Sequence, residues 1–277
     1  MKIIGLMAAS LLVLAGRAEG PQDPRAMVRQ SLARLEESNK KLADYGFVRR
    51  VERRQFTSGG ALKSAQSWVV RREFQDGFQV HRLLERDGRP VPEEERRRSE
   101  EAIAKRLAEL KAMTPEQRQK MREERQRKAG DQDAWLKEFP EALDYRLAGE
   151  ETIDGRPAWV LECSPRSGYR PKNMRARVFQ KVRGRIWIDK EESELARVEA
   201  EVFETVPVGW GLLGRIDKGT RFFLERKKVA PGTWFTESEI VKFAARVMLV
   251  KSLNHEISTR FSDFRQRGGT ATGGAAP

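Results

Sequence analysis

The sequence predicts an α+β fold: a strongly curved antiparallel sheet, a half-barrel of about nine to eleven strands, covered by an N-terminal helix and carrying a charged helical insertion. Three observations lead there. Stretch after stretch alternates apolar with charged residues at a period of two. Short Gly-containing turn signals separate these stretches, which favours hairpins between neighbours. Helical spacing is confined to the N-terminal segment, the insertion at 93–130 and one short turn after it.

The first residues read as an export signal: Lys2, then the apolar run Ile3–Leu14, then small residues with Ala18 at the cleavage position. The run is too short to span a bilayer as a helix. No Cys lies nearby to take a lipid. The expected division is a signal peptide at 1–18, one half-barrel domain at 19–267 with the insertion at 93–130, and a flexible tail at 268–277. The expected location is the periplasm.

Asp23-Pro24 is a helix start, Asp as cap and Pro in the first turn. Met27, Leu32, Leu35 and Leu42 then recur near helical spacing. Three strands follow. Tyr45, Phe47 and Val51 share one parity; Trp68, Val70 and Phe74 alternate; so do Phe78, Val80 and Leu84. Ser58-Gly59-Gly60, Asp76-Gly77 and Asp87-Gly88 are the turns.

From Pro92 the chain is dense in Glu, Arg and Lys, with only Ile103, Leu107 and Leu110 as an apolar stripe. Thr114-Pro115-Glu116-Gln117 is a capping box that begins a second helix. The pair reads as a mostly solvated arm inserted between strands. Trp135, Leu136 and Phe139 suggest a helical turn that packs back on the sheet. Strands resume around Asp154-Gly155, and a basic loop, Arg166–Asn173, precedes Arg175–Val182, which is taken with the strands.

The most regular phrase is Gly184–Phe203. Ile186 and Ile188 alternate with Arg185, Trp187 and Asp189; after a polar turn, Val198, Ala200 and Val202 alternate with Arg197, Glu199 and Glu201. This is a hairpin with one apolar and one charged face. Val206–Thr220 is irregular and apolar, with Trp210, Leu212 and Leu213 among glycines; its side chains either plug the sheet or line a ligand mouth. Arg221–Lys227, Trp234–Phe243, Val247–Val250 and His255–Phe264 complete the sheet.

The chain carries 54 Lys and Arg against 41 Asp and Glu. Such a balance raises nucleic acid as a partner, but export argues against it; an anionic membrane surface or an acidic cell-envelope polymer fits better, with an envelope protein as a further partner, and the alternative is a merely solvated, charge-rich surface. Cys163, the single cysteine, has no disulfide partner and alternates with Trp159 and Leu161 as a packed thiol would. The two histidines, His81 and His255, lack ligand-spaced neighbours, so neither metal nor cofactor is expected. No nucleophile elbow or phosphate loop is present. These absences leave binding rather than catalysis.

The signal, the N-terminal helix, the run of strands and the phrase GRIWIDKEESELARVEAEV resemble the periplasmic outer-membrane lipoprotein-sorting carriers of the LolA/LolB type. The resemblance implies a half-barrel that holds a lipid or lipoprotein acyl chain in a concave apolar groove. It departs from that family in the charged insertion, the strongly basic balance and the apolar segment at 206–220. The lining candidates are Trp187, Phe203, Trp210, Leu212, Leu213, Phe222 and Trp234. The alternative is a structural or sensory envelope protein that docks a partner through its charged arm.

Overall fold

The computed structural model describes residues 23–208, 214–247 and 251–268. Helix α1 (Pro24–Lys41) begins as expected: the Asp23 carboxylate accepts from Arg25 N–H at 3.0 Å, with Pro24 in the first turn. Strands β1 (Tyr45–Phe56), β2 (Leu62–Gln75), β3 (Phe78–Arg86) and the short β4 (Arg89–Pro90) follow. At Asp76-Gly77, Asp87-Gly88 and Asp154-Gly155 both residues have positive φ, the mirror-image turn whose twist matches its strands. Helices α2 (Glu93–Ala112) and α3 (Pro115–Asp133) come next, then a 3₁₀ turn (Ala134–Glu138) and the one-turn α4 (Phe139–Ala142). The capping box at α3 is complete: Thr114 Oγ1 accepts from Gln117 N–H, and Gln117 Oε1 accepts from Thr114 N–H.

The remaining strands are β5 (Leu143–Ile153), β6 (Arg156–Pro165), β7 (Val182–Asp189), β8 (Leu195–Val202), β9 (Val206–Val208), β10 (Gly214–Ile216), β11 (Arg221–Ala230), β12 (Thr233–Val247) and β13 (Lys251–Gln266). The segment Arg175–Lys181, taken with the strands on its sequence, is a 3₁₀ helix. Its buried Ala176 and Phe179 are three residues apart, one turn of such a helix, and Phe179 stacks on Trp135 at 5.2 Å.

All pairings are antiparallel and form one open half-barrel sheet in the order β4-β3-β2-β1-β13-β12-β11-β8-β7-β6-β5, with β9 and β10 attached to β12. It is not a simple meander. The chain starts in the middle, runs to the β4 edge, and re-enters at the far edge with β5. The insertion makes that crossing. Ten strand spacings of about 4.8 Å would separate the edges by about 48 Å if the sheet were flat. Two helices of 20 and 19 residues, each about 30 Å long, suit the task. The insertion is therefore a connection between edges. Its first helix does not stand off in solvent. Leu107 and Leu110 are buried, and Arg82–Glu100 (2.6 Å), Arg86–Glu95 (2.6 Å) and Lys111–Asp76 (2.9 Å) tie α2 to β3 and its turn.

Helix α1 lies across the other half of the sheet. At its N-terminal end Arg25 donates to Leu143 O and Asp144 Oδ1 on β5; at its C-terminal end Lys41 reaches Gly232 O in the β11–β12 turn. Eighteen residues span about 27 Å. The six strands from β5 to β12 span about 24 Å. Helix and half-sheet match in length. The core between them contains Met27, Val28, Leu143, Leu161, Ile186, Ile188 and Leu195, all under a tenth exposed.

Helix and sheet are joined by one buried ionic cluster. The Arg226 side chain is 0% exposed and the Glu194 side chain 3%; they pair at 2.6 Å. Ser38 on α1 donates to the other Glu194 oxygen at 2.8 Å and accepts from Trp234 N–H at 3.3 Å. Arg226 also donates to Leu195 O and Trp234 O. Burial pulls the Arg226 pKa down, and Glu194 offsets only part of that.

Candidate lipid-binding face and cross-sheet groove

Residues directly opposite on an antiparallel ladder share a face, so the pairing register sorts every side chain. The face that bears α1 carries two adjoining rows. One runs Ile186, Val198, Leu224, Glu239, Thr259, Val51 and Trp68 from β7 to β2. The next runs Gly184, Ala200, Phe222, Val241, Ile257 and Arg53. Under α1 these positions belong to the closed core. From β11 onward Phe222, Leu224, Val241, Ile257 and Trp68 are half-buried, with Val51 buried between them. Together they form an apolar lane over five strands, β11, β12, β13, β1 and β2, about 19 Å long.

One carboxylate interrupts the lane. Glu239 is flanked across the ladder by Leu224 and Thr259, and its own strand places Val241 next on this face. Burial pushes its pKa up. The rim beyond Val51 is cationic, with Arg49 and Arg53 exposed on either side of it and the Arg53 guanidinium 5.7 Å from the Trp68 ring.

The opposite face is polar outside the buried cluster of Val160, Trp187, Ala196 and Trp234. A groove of about 900 Å³ crosses β5, β6, β7, β8, β11 and β12 there. Its walls are two rows of charged side chains. Arg146, Glu162, Arg185 and Glu199 run into Phe223 and Ile240 in one row; Arg183, Glu201, Arg221 and Lys242 stand in the other. The charges alternate and satisfy one another, as in Arg185–Glu162 at 3.6 Å and Arg183–Glu201 at 3.9 Å. Exposed pairs of this kind contribute under about 1 kcal/mol each. Gly184 sits in the floor because nothing larger fits: a Cβ there would lie 2.0 Å from Glu199 O.

The seven lining candidates fall in different places. Phe222 is in the apolar lane. Trp187 alternates with Ile186 and Ile188 and so faces away from α1, where it packs with Val160, Ala196 and Trp234. Both indoles are fixed: Trp187 Nε1 donates to Glu151 at 2.9 Å and Trp234 Nε1 to Glu192 at 2.6 Å. Phe203, half-buried after β8, lies 5.8 Å from the Arg183 guanidinium. Trp210, Leu212 and Leu213 lie outside the described residues. The lane residues Val241, Ile257, Val51 and Trp68 were not among the candidates, although their strand parity was readable.

Burial pushes the Cys163 thiol up to about 12, which removes thiolate chemistry near neutral pH. Among the described residues there is no group of three or more His, Cys, Asp and Glu placed to hold a metal ion, and no helix long and apolar enough to cross a membrane.

No family model matches this chain, and no curated protein does. Solved structures do align with most of it. A DUF1329 family protein from Desulfovibrio piger is 12% identical over 90% of this chain and 95% of its own, with a TM-score of 0.34. A domain assigned to outer membrane lipoprotein sorting, from Vibrio parahaemolyticus, is 10% identical over 87% and 94%, with a TM-score of 0.33. A LolA superfamily protein from Nitrosomonas europaea is 10% identical over 86% and 94%, with a TM-score of 0.28. The last two carry the family name that the sequence resembles. At these scores the likeness carries no argument, and the half-barrel rests on the strand order above.

Proposed function

We propose that this is an exported, non-enzymatic cell-envelope protein that holds a lipid or acyl chain on the α1-bearing face of its half-barrel. The observation that carries the reading is the apolar lane that starts beside the α1 core at Leu224 and continues past the helix over β13, β1 and β2. Its length of about 19 Å is comparable with an extended myristoyl chain. Burying such a chain contributes about 0.8 kcal/mol per CH₂, roughly 10 kcal/mol in all. Association itself costs at least about 4 kcal/mol. The balance favours a ligand that can be released, as a carrier requires. Phe222, Val241, Ile257, Val51 and Trp68 form the lining in this reading. Trp210, Leu212 and Leu213 are added to it on their sequence alone, and Phe203, Trp187 and Trp234 bound the neighbouring edge and face.

Native mass spectrometry of the purified protein tests the proposal. The expected result is co-purified lipid, or uptake of an added fatty acid, lost on Val241→Asp with the fold retained by circular dichroism. A spectrum free of lipid that stays so after lipid is added overturns it.

A second reading, docking of an envelope partner through the helical arm, draws on one observation: α2 is anchored to β3 while the α3 side chains whose burial is described are largely exposed. Deletion of the arm is not a clean test, since the arm joins the two sheet edges. Charge reversal at Lys120, Arg122 and Arg127 is. Loss of a co-purifying protein with lipid binding intact favours docking.

A further inference from the structure

From Arg166 to Arg185 the chain carries eight Lys and Arg and no Asp or Glu. Arg166, Lys181, Arg183 and Arg185 pair with carboxylates outside the run, at Glu141, Glu204, Glu201 and Glu162, but the run itself supplies no acidic residue. The structure explains how so many cations are held together. The Glu138 carboxylate reaches into the loop from below: one oxygen accepts from Tyr169 OH at 2.6 Å and Lys172 N–H at 2.9 Å, the other from Asn173 N–H at 2.9 Å. Burial alone would raise the Glu138 pKa; these hydrogen bonds outweigh it and hold the carboxyl below its ordinary range. Asn173 Oδ1 accepts from Arg175 N–H, Gln180 donates to Tyr169 O, and Ala176 and Phe179 anchor the following turn in the core. The backbone is fastened inward, and Arg166, Arg170, Lys172 and Arg175 are left exposed. Arg170 and Lys172 make no ion pair among the described residues.

The same surface has an apolar component. Only four large hydrophobic residues are prominently exposed among the described residues, and two of them sit on the segments that Glu138 ties together: Met174 at 48% and Leu136 at 38%. Aliphatic side chains among exposed cations suit a lipid surface, where cations meet headgroups and methylenes enter the acyl boundary. They add little on nucleic acid, which rewards aromatic stacking.

We propose that the loop at 166–175, with Leu136 beside it, is a docking shelf for an anionic membrane surface, independent of whatever the apolar lane holds. Each cation near such a surface is worth about fivefold in partition, so three are worth about a hundredfold.

The test is sedimentation of the full chain with vesicles of phosphatidylglycerol and, separately, phosphatidylcholine. Any contribution of the apolar N-terminus is common to every variant. The wild type should prefer the anionic vesicles, and the preference should fall as salt rises from 50 to 300 mM. R170Q/K172Q/R175Q should lose about a hundredfold, and R170Q/K172Q about twenty-five-fold if the triple variant proves unstable. Met174→Ser should weaken vesicle binding several-fold and leave heparin binding unchanged. K120Q/R122Q/R127Q on α3 removes the same charge and should change binding little. The proposal is overturned if the loop variants bind like wild type, if the α3 variant loses as much, or if wild type does not distinguish the two lipids. It is also overturned if duplex DNA competes fully for the shelf and the Met174 substitution has no effect, which would make the surface a nucleic-acid site.

Discussion

The cluster of Arg226, Glu194 and Ser38 gives the sharpest test of how α1 is held. Glu194→Gln keeps shape and most hydrogen bonds but leaves the Arg226 guanidinium buried without a counter-charge. Breaking a buried pair from one side costs about 3–5 kcal/mol. For a chain of this size each kcal/mol lowers Tm by about 2–4 °C, so a fall of about 6–20 °C is expected. Arg226→Met should cost as much, since it strands Glu194 with only the Ser38 hydroxyl as donor. The double variant Glu194→Leu with Arg226→Met removes both ions. It still leaves Leu195 O, Trp234 O and the Ser38 hydroxyl without the partners they have now, at about 1–3 kcal/mol for each group that water cannot reach. At mid-range values its cost, about 6 kcal/mol, should fall short of the sum of the single costs, about 8 kcal/mol, by about 2 kcal/mol. Urea unfolding followed by tryptophan fluorescence suits the measurement, because Trp234 is part of the cluster, and an unchanged m-value would show that only stability moved. Single variants within about 1 kcal/mol of wild type, or an additive double variant, would refute the reasoning.

Three further outcomes are expected. The Cys163 thiol, buried and pushed up to about 12, should not react with a disulfide reagent at pH 8 until the protein is unfolded in urea; prompt labelling of the native protein would show that β6 opens. Gly184→Ala should cost about 2–3 kcal/mol, because its Cβ would meet the backbone of Glu199 and Ala200 rather than a movable side chain, whereas Gly59→Ala, with nothing closer than 3.9 Å, should stay within about 0.5 kcal/mol. Glu239→Gln should stabilise the protein at pH 7–8, by under about 1 kcal/mol given its partial exposure. The sign follows from burial: the folded pKa is raised, so the stability tied to the protonated carboxyl is present at low pH and lost as pH rises through that value. The gap between the variant and wild type should then close on acidification, as thermal melts across pH would reveal.

Much of the fold was legible because its signals are local. Asp-Gly turns need positive φ at both residues, and the alternation around Ile186 and Val198 needs only a two-residue period. The strand order was not legible. Pairing of β1 with β13 joins residues about two hundred positions apart, and no local pattern announces it. Without that pairing the insertion looked like a decoration; with it, the insertion becomes the route from one sheet edge to the other. Arg175–Lys181 misled because its apolar residues are too few to separate a period of two from a period of three. The choice of lining residues met a different limit. Parity says which residues share a face, but not which face is inward, so Trp187 and Phe222 were chosen together and lie on opposite sides. Arg226 did leave a trace: it follows Phe222 and Leu224 at alternate positions, where a solvated arginine would be out of place.

The division of the sheet explains why the apolar lane extends past α1. A half-sheet of six strands is as wide as α1 is long, and the helix seals it with Met27, Val28 and the clamp at Ser38. Among the described residues nothing of comparable apolarity covers the same face from β13 to β2, and the charged insertion spends its two buried leucines, Leu107 and Leu110, where α2 meets β3. Yet Val51, Ile257 and Trp68 continue the apolar rows across those strands as if a cover were present. If substitution of Val51 and Ile257 together by Thr left stability unchanged and removed bound lipid, the missing cover would be a ligand. If it instead lowered stability by the roughly 2–4 kcal/mol that one buried and one half-buried aliphatic side chain contribute, with no lipid involved, the lane would be ordinary core.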